Sequence, residues 1–267
     1  MKPEPDAKLR MDEDVRLSIL LPVRDEGVNL KIMIKVLKAT VDVGHEVLVI
    51  YDFPEDDSIP VVAAMQDEYP AVRLIHNTLG RGVVNAIRAG VNASLGEYVL
   101  IFAADEIGPI VAIEDMLILM EQGCEFVSCT RYAHGGRRLG GSLIGGCLSR
   151  LANRLFHIIA NSALTDSTTG IKMFRRDVFD RLTIEANPVG WAFAFEMAMK
   201  AQFAGLKLGE VPIISVDRLY GGASSFQLGP WFVEYLRWFL WGAIQLRTGS
   251  QGPRHPAIVR VPSATAR

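Results

Sequence analysis

The chain has 267 residues and a formal net charge of −2, with 49% hydrophobic and 22% charged residues. This length suits one large α/β domain or two small ones, and the hydrophobic fraction is sufficient for a well-filled core. The negative net charge argues against a nucleic-acid-binding protein that relies on a broad basic surface. The three cysteines form no CxxC pair, which argues against a zinc site or a disulfide scaffold and favours a reducing cytoplasm.

The two ends of the sequence are polar. Residues 1–16, MKPEPDAKLRMDEDVR, contain no apolar run, so we expect a flexible tail and no secretory signal. Residues 248–267 are rich in Pro, Ser and Arg, and we expect them to be disordered. No stretch of about eighteen apolar residues is uninterrupted, so we expect no membrane-spanning helix.

Strand and helix patterns alternate from residue 17 to residue 130. Short apolar runs predict strands and the amphipathic stretches between them predict helices. The alternation predicts an α/β fold with an open, mainly parallel sheet flanked by helices. The predicted strands are 17–23, 45–51, 72–75, 97–103 and 125–130, and the predicted helices are 28–41, 60–69, 83–94 and 109–122.

The pattern is less regular after residue 130. A glycine-rich loop precedes a predicted helix near 142–162, and the sequence TDSTTGIKMFRR follows without a clear element. A helix near 191–204 and a strand near 207–216 come next. An aromatic amphipathic helix over 229–247 is the last predicted element. We therefore expect one continuous domain over 17–228, followed by this helix.

Charged side chains follow four of the five predicted strands. Ligands of open α/β sheets bind beyond the carboxyl ends of the strands, so these side chains are expected at one site. Acids and arginines together suit a phosphate-bearing ligand that is neutralised partly by a metal ion and partly by arginine. Any single acid is explained as well by capping of the next helix, but four polar strand ends together favour a site. The residues are Arg24, Asp25 and Glu26, then Asp52, Glu55, Asp56 and Asp57, then Asp105 and Glu106, and finally Arg131.

Motifs in a fixed order from about residue 17 to residue 247 resemble those of the family 2 glycosyltransferases, and in particular the dolichyl- or polyprenyl-phosphate sugar transferases. The motifs are PVRDE, NTLGRGVVNAIRAGVNASLGEYVLIFAADEIGP, TRY, DSTTGIKMFRR and FEMAMKAQFAGLKLGEVPIISVDRLYGGASSF. The resemblance implies a GT-A fold, which is Rossmann-like. It also implies transfer of a sugar from a UDP- or GDP-sugar to a lipid-phosphate or glycan acceptor.

The resemblance further implies where the nucleotide-sugar donor binds. The first motif would border the base and ribose, the residue after the second strand would contact the base edge, and an arginine would hold the diphosphate. The donor-binding residues implied in this way are Pro22, Arg24, Glu26, Asp52, Gly80, Gly82, Ala103, Ala104 and Arg131.

The catalytic and metal-binding residues are also implied by the resemblance. Asp105 stands at the second Asp of the Asp-x-Asp motif, so with Glu106 it would bind Mg²⁺ or Mn²⁺ and support catalysis. Arg218 would hold the diphosphate during transfer. Asp166 would be the general base for a hydroxyl acceptor, although a turn-forming role in TDSTTG explains it equally well.

Two departures from the family pattern leave a second function open. Ala103 replaces the first Asp of the metal motif, and Ile107 replaces a hydrophilic residue that follows it. Each change removes an oxygen that a hard cation prefers. The alternative is therefore a degenerate, non-catalytic protein that binds nucleotide sugars.

Two helices raise the question of a membrane. For the helix near 142–162, a core helix with a solvated polar face is favoured slightly over a membrane role. For the aromatic segment 231–246, a position in the membrane interface and packing against another subunit both explain the sequence. We expect a cytoplasmic protein associated peripherally with the cytoplasmic membrane, and an oligomer is compatible with the same segment.

Overall fold

The computed structural model describes residues 15–140, 143–216, 228–249 and 255–261. In its first half every predicted strand and helix is present, with ends shifted by a few residues. In chain order the elements are β1 (Leu17–Pro22), α1 (Gly27–Thr40), β2 (His45–Tyr51), α2 (Ser58–Met65), β3 (Val72–His76), α3 (Val83–Ala93), β4 (Tyr98–Ile101), a 3₁₀ helix (Gly108–Ala112), α4 (Ile113–Glu121) and β5 (Phe126–Thr130).

The second half contains three predicted helices and a predicted strand that is divided in two. Its elements are β6 (Arg137–Leu139), α5 (Leu143–Ala160), β7 (Lys172–Arg175), α6 (Val178–Leu182), α7 (Ala192–Phe203), β8 (Leu208–Pro212), β9 (Ile214–Val216), α8 (Leu228–Thr248) and β10 (Ile258–Val259). The predicted strand over 207–216 is divided at Ile213, because β8 pairs with β5 whereas β9 pairs with β6.

Eight strands form one sheet in the order β10-β8-β5-β7-β4-β1-β2-β3. All neighbours are parallel except β7, which runs antiparallel between β4 and β5. The sheet is therefore open and mainly parallel, as predicted. The sequence did not predict β7, because a four-residue strand that begins and ends with a basic residue gives no apolar run.

Helices cover both faces of the sheet. On one face α1, α2 and α4 contribute to an apolar cluster, and on the other face α3 and α5 to α8 contribute to a second cluster. Central strands such as β1 and β2 are consequently buried on both sides, which explains their nearly continuous apolar sequences. The carboxyl ends of these strands are held in fixed positions between two packed layers.

Part of the segment expected to be disordered is paired with the sheet. Ile258–Val259 forms a parallel pair with β8, and Arg260 Nε lies 2.5 Å from Asp115 Oδ1. The backbone of Ile258–Val259 thereby pairs with the edge of β8 that would otherwise be open. Composition alone did not indicate this short strand.

Helices α5 and α8 each bury one side and expose the other. In α5 the polar residues Arg150, Arg154 and His157 face solvent as expected, but Asn153 is buried and the apolar Leu151 is exposed. In α8 Trp238 is buried and Tyr235 packs against the core, whereas Phe232 is exposed. Within the described residues, no helix is both long enough and apolar enough to cross a bilayer.

Candidate active site

The carboxyl ends of β4, β1 and β2 lie side by side, as the sheet order requires. Beyond the last paired residues, Phe102 N donates a hydrogen bond to Leu20 O at 3.0 Å, and Val23 N donates to Ile50 O at 2.9 Å. The segments that follow these strands therefore meet at one edge. This is the edge at which ligands of open α/β sheets bind.

The segment after β2 caps helix α1. Asp57 Oδ1 accepts a hydrogen bond from Gly27 N at 2.8 Å, and Ser58 Oγ accepts one from Glu26 N at 3.2 Å. A helix N-terminus needs such acceptors for its first backbone N–H groups. Capping of the next helix along the chain is the alternative role that the sequence predicts for Asp57, but in the structure Asp57 caps the preceding helix, α1. Pro22, the last residue of β1, is half-buried and lies shortly before these hydrogen-bonded residues.

Several charged side chains after β1 and β2 already have partners within the protein. The Arg24 guanidinium lies 5.1 Å from the centre of the Phe53 ring, and Glu26 accepts a hydrogen bond from Asn29 Nδ2 at 2.7 Å. One cluster of three acids with ligand atoms within 4.8 Å of one another is found among the described residues, namely Asp25, Asp56 and Asp57. Backbone N–H groups already bind to Asp56 and Asp57, so capping explains these two acids.

Asp52 holds the loop between β3 and α3. Its two carboxylate oxygens accept hydrogen bonds from Asn77 Nδ2 at 2.7 Å and from Gly82 N at 3.1 Å. Gly82 has a φ of +126°, and a Cβ there would lie 2.3 Å from Pro188 O, so only glycine fits. Gly80 also has a positive φ, of +102°. The predicted residues Asp52, Gly80 and Gly82 thus form one structural unit at the site edge.

The segment after β4 is half-exposed at Ala103, Asp105 and Glu106, and buried at Phe102 and Ala104. It is packed closely against β9, because a Cβ on Gly108 would lie 2.1 Å from the carbonyl oxygen of Ile214. The rigid strand β4 thus presents two carboxylates at its carboxyl end, as the sequence predicted.

Arg131 and Asp166 form a buried ion pair beside this segment. Arg131 Nε lies 2.7 Å from Asp166 Oδ2 and Nη2 lies 2.9 Å from Oδ1, and the backbone N of Arg131 donates to Oδ2 at 3.1 Å. Burial raises the pKa of Asp166, but Arg131 outweighs this effect and the net pKa is lowered. Burial likewise lowers the pKa of Arg131, and the charges of Asp166 and Glu106 more than offset it. The Glu106 carboxylate therefore lies within electrostatic reach of the pair.

Polar residues that the sequence analysis did not assign to the site support this ion pair. Glu210 accepts hydrogen bonds from the backbone N of Thr165 at 2.8 Å and of Asp166 at 3.3 Å. Asn153 on α5 accepts one from Ser167 N at 3.0 Å. The one indication of Asn153 in the sequence is its place on the polar side of α5. Glu210 lies inside a predicted strand and gave none.

Lys172 on β7 is fully buried in the same network. Its Nζ donates a hydrogen bond to Ser128 Oγ at 3.0 Å. Burial lowers the pKa of Lys172 to about 8, although Asp166 acts in the opposite direction. The antiparallel strand β7 thus places the Lys172 ammonium within electrostatic reach of the Arg131–Asp166 ion pair. Arg218, which was assigned to the diphosphate, lies outside the described residues.

Comparison with known proteins identifies the family. Residues 18–183 match the sequence profile of glycosyl transferase family 2. The chain belongs to this family. It is a glycosyltransferase, and the resemblance found in its motifs is confirmed.

Two relatives of this family 2 glycosyltransferase are named for transfer to dolichyl phosphate or dolichol phosphate. A dolichyl-phosphate beta-glucosyltransferase from Dictyostelium discoideum is 25% identical over 260 residues, covering 88% of this chain and 78% of the relative. A dolichol-phosphate mannosyltransferase from Mycosarcoma maydis is 24% identical over 207 residues, covering 73% and 68%.

A solved structure confirms the GT-A fold of this glycosyltransferase. Glucosyl-3-phosphoglycerate synthase from Mycobacterium tuberculosis superimposes with a TM-score of 0.65 at 16% identity, covering 97% of this chain and 94% of that chain. That structure contains Mn²⁺, UDP and glucosyl-3-phosphoglycerate. At this identity the similarity establishes the fold and not the substrate.

Proposed function

We propose that this glycosyltransferase moves a hexose from a UDP- or GDP-sugar to a polyprenyl-type lipid phosphate at the cytoplasmic face of a membrane. The observation that carries the proposal is the pair of relatives named for dolichyl phosphate, one of which matches 88% of this chain. The polar site at the carboxyl edge of the sheet supports a donor that carries a diphosphate.

The donor is proposed to lie across the ends of β1, β2 and β4. Its base and ribose would lie near Arg24 and Glu26, beside the loop that Asp52 holds in place. Arg131 would approach the diphosphate in a fixed orientation, because Asp166 binds its guanidinium through two oxygens. The same pairing neutralises most of the Arg131 charge, so a diphosphate needs a further positive charge.

A divalent cation is proposed to supply that charge. Mg²⁺ is commonly bound by one or two carboxylates together with substrate phosphate oxygens, and Asp105 and Glu106 provide two hard oxygen donors at the end of β4. The fit is adequate despite Ala103, because the missing oxygen can come from the donor diphosphate. When bound, the cation would stabilise the negative charge that develops on the leaving nucleotide.

The state of Asp166 supports a phosphate acceptor. Its carboxylate is completely buried, its pKa is lowered, and Arg131 binds both of its oxygens. A hydroxyl acceptor requires a base, and these properties argue against Asp166 in that role. A lipid phosphate is anionic near neutral pH, since its second pKa is about 6, and it requires only positioning.

The proposal is tested by a transfer assay with UDP-glucose, UDP-galactose and GDP-mannose as donors and polyprenyl phosphate as acceptor. We expect one donor to be used, with activity lost in EDTA and restored by Mn²⁺ or Mg²⁺. Asp105→Asn should lower the transfer rate by roughly 100-fold or more, which is typical for the loss of a group that stabilises developing charge. The matched control is the exposed Asp67→Asn, which should retain wild-type activity.

Two results would contradict the proposal. Wild-type transfer by Asp105→Asn would remove this residue from the metal site. Calorimetric binding of a nucleotide sugar without transfer to polyprenyl phosphate or to any glycan acceptor would instead favour the non-catalytic alternative that Ala103 raises.

A further inference from the structure

Helix α5 presents to solvent most of the apolar side chains that the structure describes in it. At 100° per residue these side chains fall along one side of the helix, opposite the buried Asn153, Phe156 and Ala160. Monomeric soluble proteins rarely expose contiguous apolar surface on this scale without a functional reason. The exposed residues, each at 40–61% of full exposure, are Leu148, Leu151, Leu155, Ile158 and Ile159.

Helix α8 packs beside α5 and adds a second apolar stripe. The rings of Phe156 on α5 and Phe239 on α8 are 5.4 Å apart at their centres, and Gly242 allows close packing of the two helices. The buried side of α8 contains Trp238 and Leu246. Its exposed side contains Phe232, Val233, Leu236, Leu240 and Ile244. We name these ten exposed residues of the two helices the α5–α8 face.

The α5–α8 face has a basic border in a chain of negative net charge. The α5 sequence contains no acid, and both Arg150 and Arg154 are exposed beside its apolar stripe. Helix α8 adds the exposed Arg237 and Arg247 and contains one acid, Glu234. Four arginines against one carboxylate therefore border this surface, whereas the chain as a whole carries −2.

The charge pattern indicates which partner covers the face. In a two-fold symmetric dimer the same patch meets its own copy, so two surfaces that each carry four arginines and one carboxylate would be brought together. Like charges placed opposite each other across an interface are unfavourable. An anionic bilayer takes up the apolar side chains and attracts the arginines at the same time.

The opposite side of α5 reaches the candidate active site. Asn153 Nδ2 donates a hydrogen bond to Thr168 Oγ1 at 2.8 Å, and this hydroxyl in turn accepts one from Arg131 Nη2. Tyr132 also donates to Ser149 Oγ at 2.9 Å. The apolar face and the Arg131 network are thus separated by the thickness of one helix, about 10–12 Å.

We propose that the α5–α8 face docks on an anionic phospholipid bilayer and thereby places the active site at the depth of a lipid phosphate headgroup. Docking itself rests on the apolar and basic residues described above, while its purpose rests on the proposed function. The apolar side chains enter the boundary between headgroups and acyl chains, and Arg150 and Arg154 contact lipid phosphates.

Co-sedimentation of the full chain with vesicles tests docking without any sugar substrate. We expect binding to phosphatidylcholine vesicles that contain one-third phosphatidylglycerol, and weaker binding to pure phosphatidylcholine. Arg150→Gln with Arg154→Gln should weaken binding about 30-fold, from ~1 kcal/mol per basic residue at an anionic surface. Leu151→Gln with Ile158→Gln should weaken it roughly 10-fold or more.

Matched control variants on α1 and the 3₁₀ helix keep the comparison specific. Lys31→Gln with Lys35→Gln removes two exposed charges, and Val28→Gln with Val111→Gln removes two exposed apolar side chains, all away from the face. Both should bind vesicles as the wild type does. Thermal melts should be unchanged for every variant, because none of these side chains is buried.

Three results would overturn the proposal. The first is an intact chain that ignores anionic vesicles, and the second is wild-type binding by the α5 variants. The third is a dimer in solution that the α5 variants dissociate, which would assign the face to a second copy of the chain. Failure of the proposed function is seen separately, as absence of transfer to a short, water-soluble polyprenyl phosphate, where the α5 variants should match the wild type.

Discussion

Replacing Asp166 by Asn should destabilise the protein strongly, although the two side chains have the same shape. The carboxylate is completely buried and accepts charge-assisted hydrogen bonds from Arg131 Nε and Nη2. An amide keeps one acceptor oxygen but turns an N–H group toward the guanidinium, and it leaves the buried Arg131 charge without a counter-ion. Breaking a buried pair in this way costs about 3–5 kcal/mol.

The effect is measured as the free energy of unfolding in urea for wild type, Asp166→Asn and the control Asp177→Asn. Asp177 is 63% exposed and pairs with Arg175 and Arg181 at the surface, so its loss should cost less than about 1 kcal/mol. A double variant that also carries Arg131→Gln should lose less than the sum of the single variants, since no uncompensated charge remains.

The pH dependence gives a second readout. Because the pKa of Asp166 is lowered in the folded state, its stabilising effect is complete above the unfolded value of about 3.9. The difference between wild type and Asp166→Asn should therefore be constant from pH 7 to pH 5 and shrink below about pH 4. An Asp166→Asn protein within 1 kcal/mol of wild type at pH 7 would refute the assignment of this carboxylate as the anchor of Arg131.

Three further comparisons test the surrounding structure in the same urea experiments. Gly82→Ala places a Cβ 2.3 Å from a backbone oxygen at a residue of positive φ, and it should lower the free energy of unfolding by ~1–3 kcal/mol. Gly146→Ala on α5 places a Cβ where nothing lies within 4 Å, and it should raise the free energy of unfolding by about 0.5–1 kcal/mol. Equal effects of the two variants would contradict the close contact at Gly82. Burial lowers the pKa of Lys172 from 10.5 to about 8, so between these two pH values the unfolded chain binds more protons than the folded chain. The stability of the wild type relative to Lys172→Met should therefore rise with pH across this range. A difference that does not change with pH would argue against the buried ammonium. Trp238→Ala should cost about 3–5 kcal/mol and the exposed Phe232→Ala within ~0.5 kcal/mol, and the reverse order would mean that α8 is turned the other way.

The sheet was predictable where its strands are buried on both faces. The runs at β1 and β2 are mostly apolar, and each is followed by a predicted helix, so the predicted and observed strands agree to within a residue or two. Strand β7 was not predictable, because the burial of Lys172 depends on partners on the neighbouring strand, among them Ser128. Local sequence contains no information on that neighbour.

Periodicity also left the direction of helix faces undetermined. The α5 sequence shows clearly that one side is apolar, and the usual assumption places that side in the core. In the structure the core is reached by Phe156 and by the polar Asn153, which is hydrogen-bonded to Ser167 and Thr168. Only the tertiary partner of Asn153 shows that the apolar side faces outward.

The structure brings the predicted candidate residues together at one sheet edge, but the sequence did not predict which of their charges would pair. The βαβ pattern predicts parallel strands, and the shared direction of β2, β4 and β5 is sufficient to bring Asp52, Asp105 and Arg131 to one edge. That Asp166 binds Arg131 depends on a connection of more than thirty residues that includes α5. A motif identifies the residue types at such positions and does not identify their partners.

The position of β7 in the sheet has a consequence for the order of folding. Strands β3, β2, β1 and β4 are neighbours and are complete once residue 101 has been synthesised, but β4 gains its second neighbour only when Lys172–Arg175 is available. At 5–20 residues per second this delay lasts on the order of seconds, during which a central strand that is buried in the folded protein is a free edge in the nascent chain. The slow step of folding is therefore expected to be the insertion of β7 between β4 and β5, a non-local pairing that joins the two halves of the sheet.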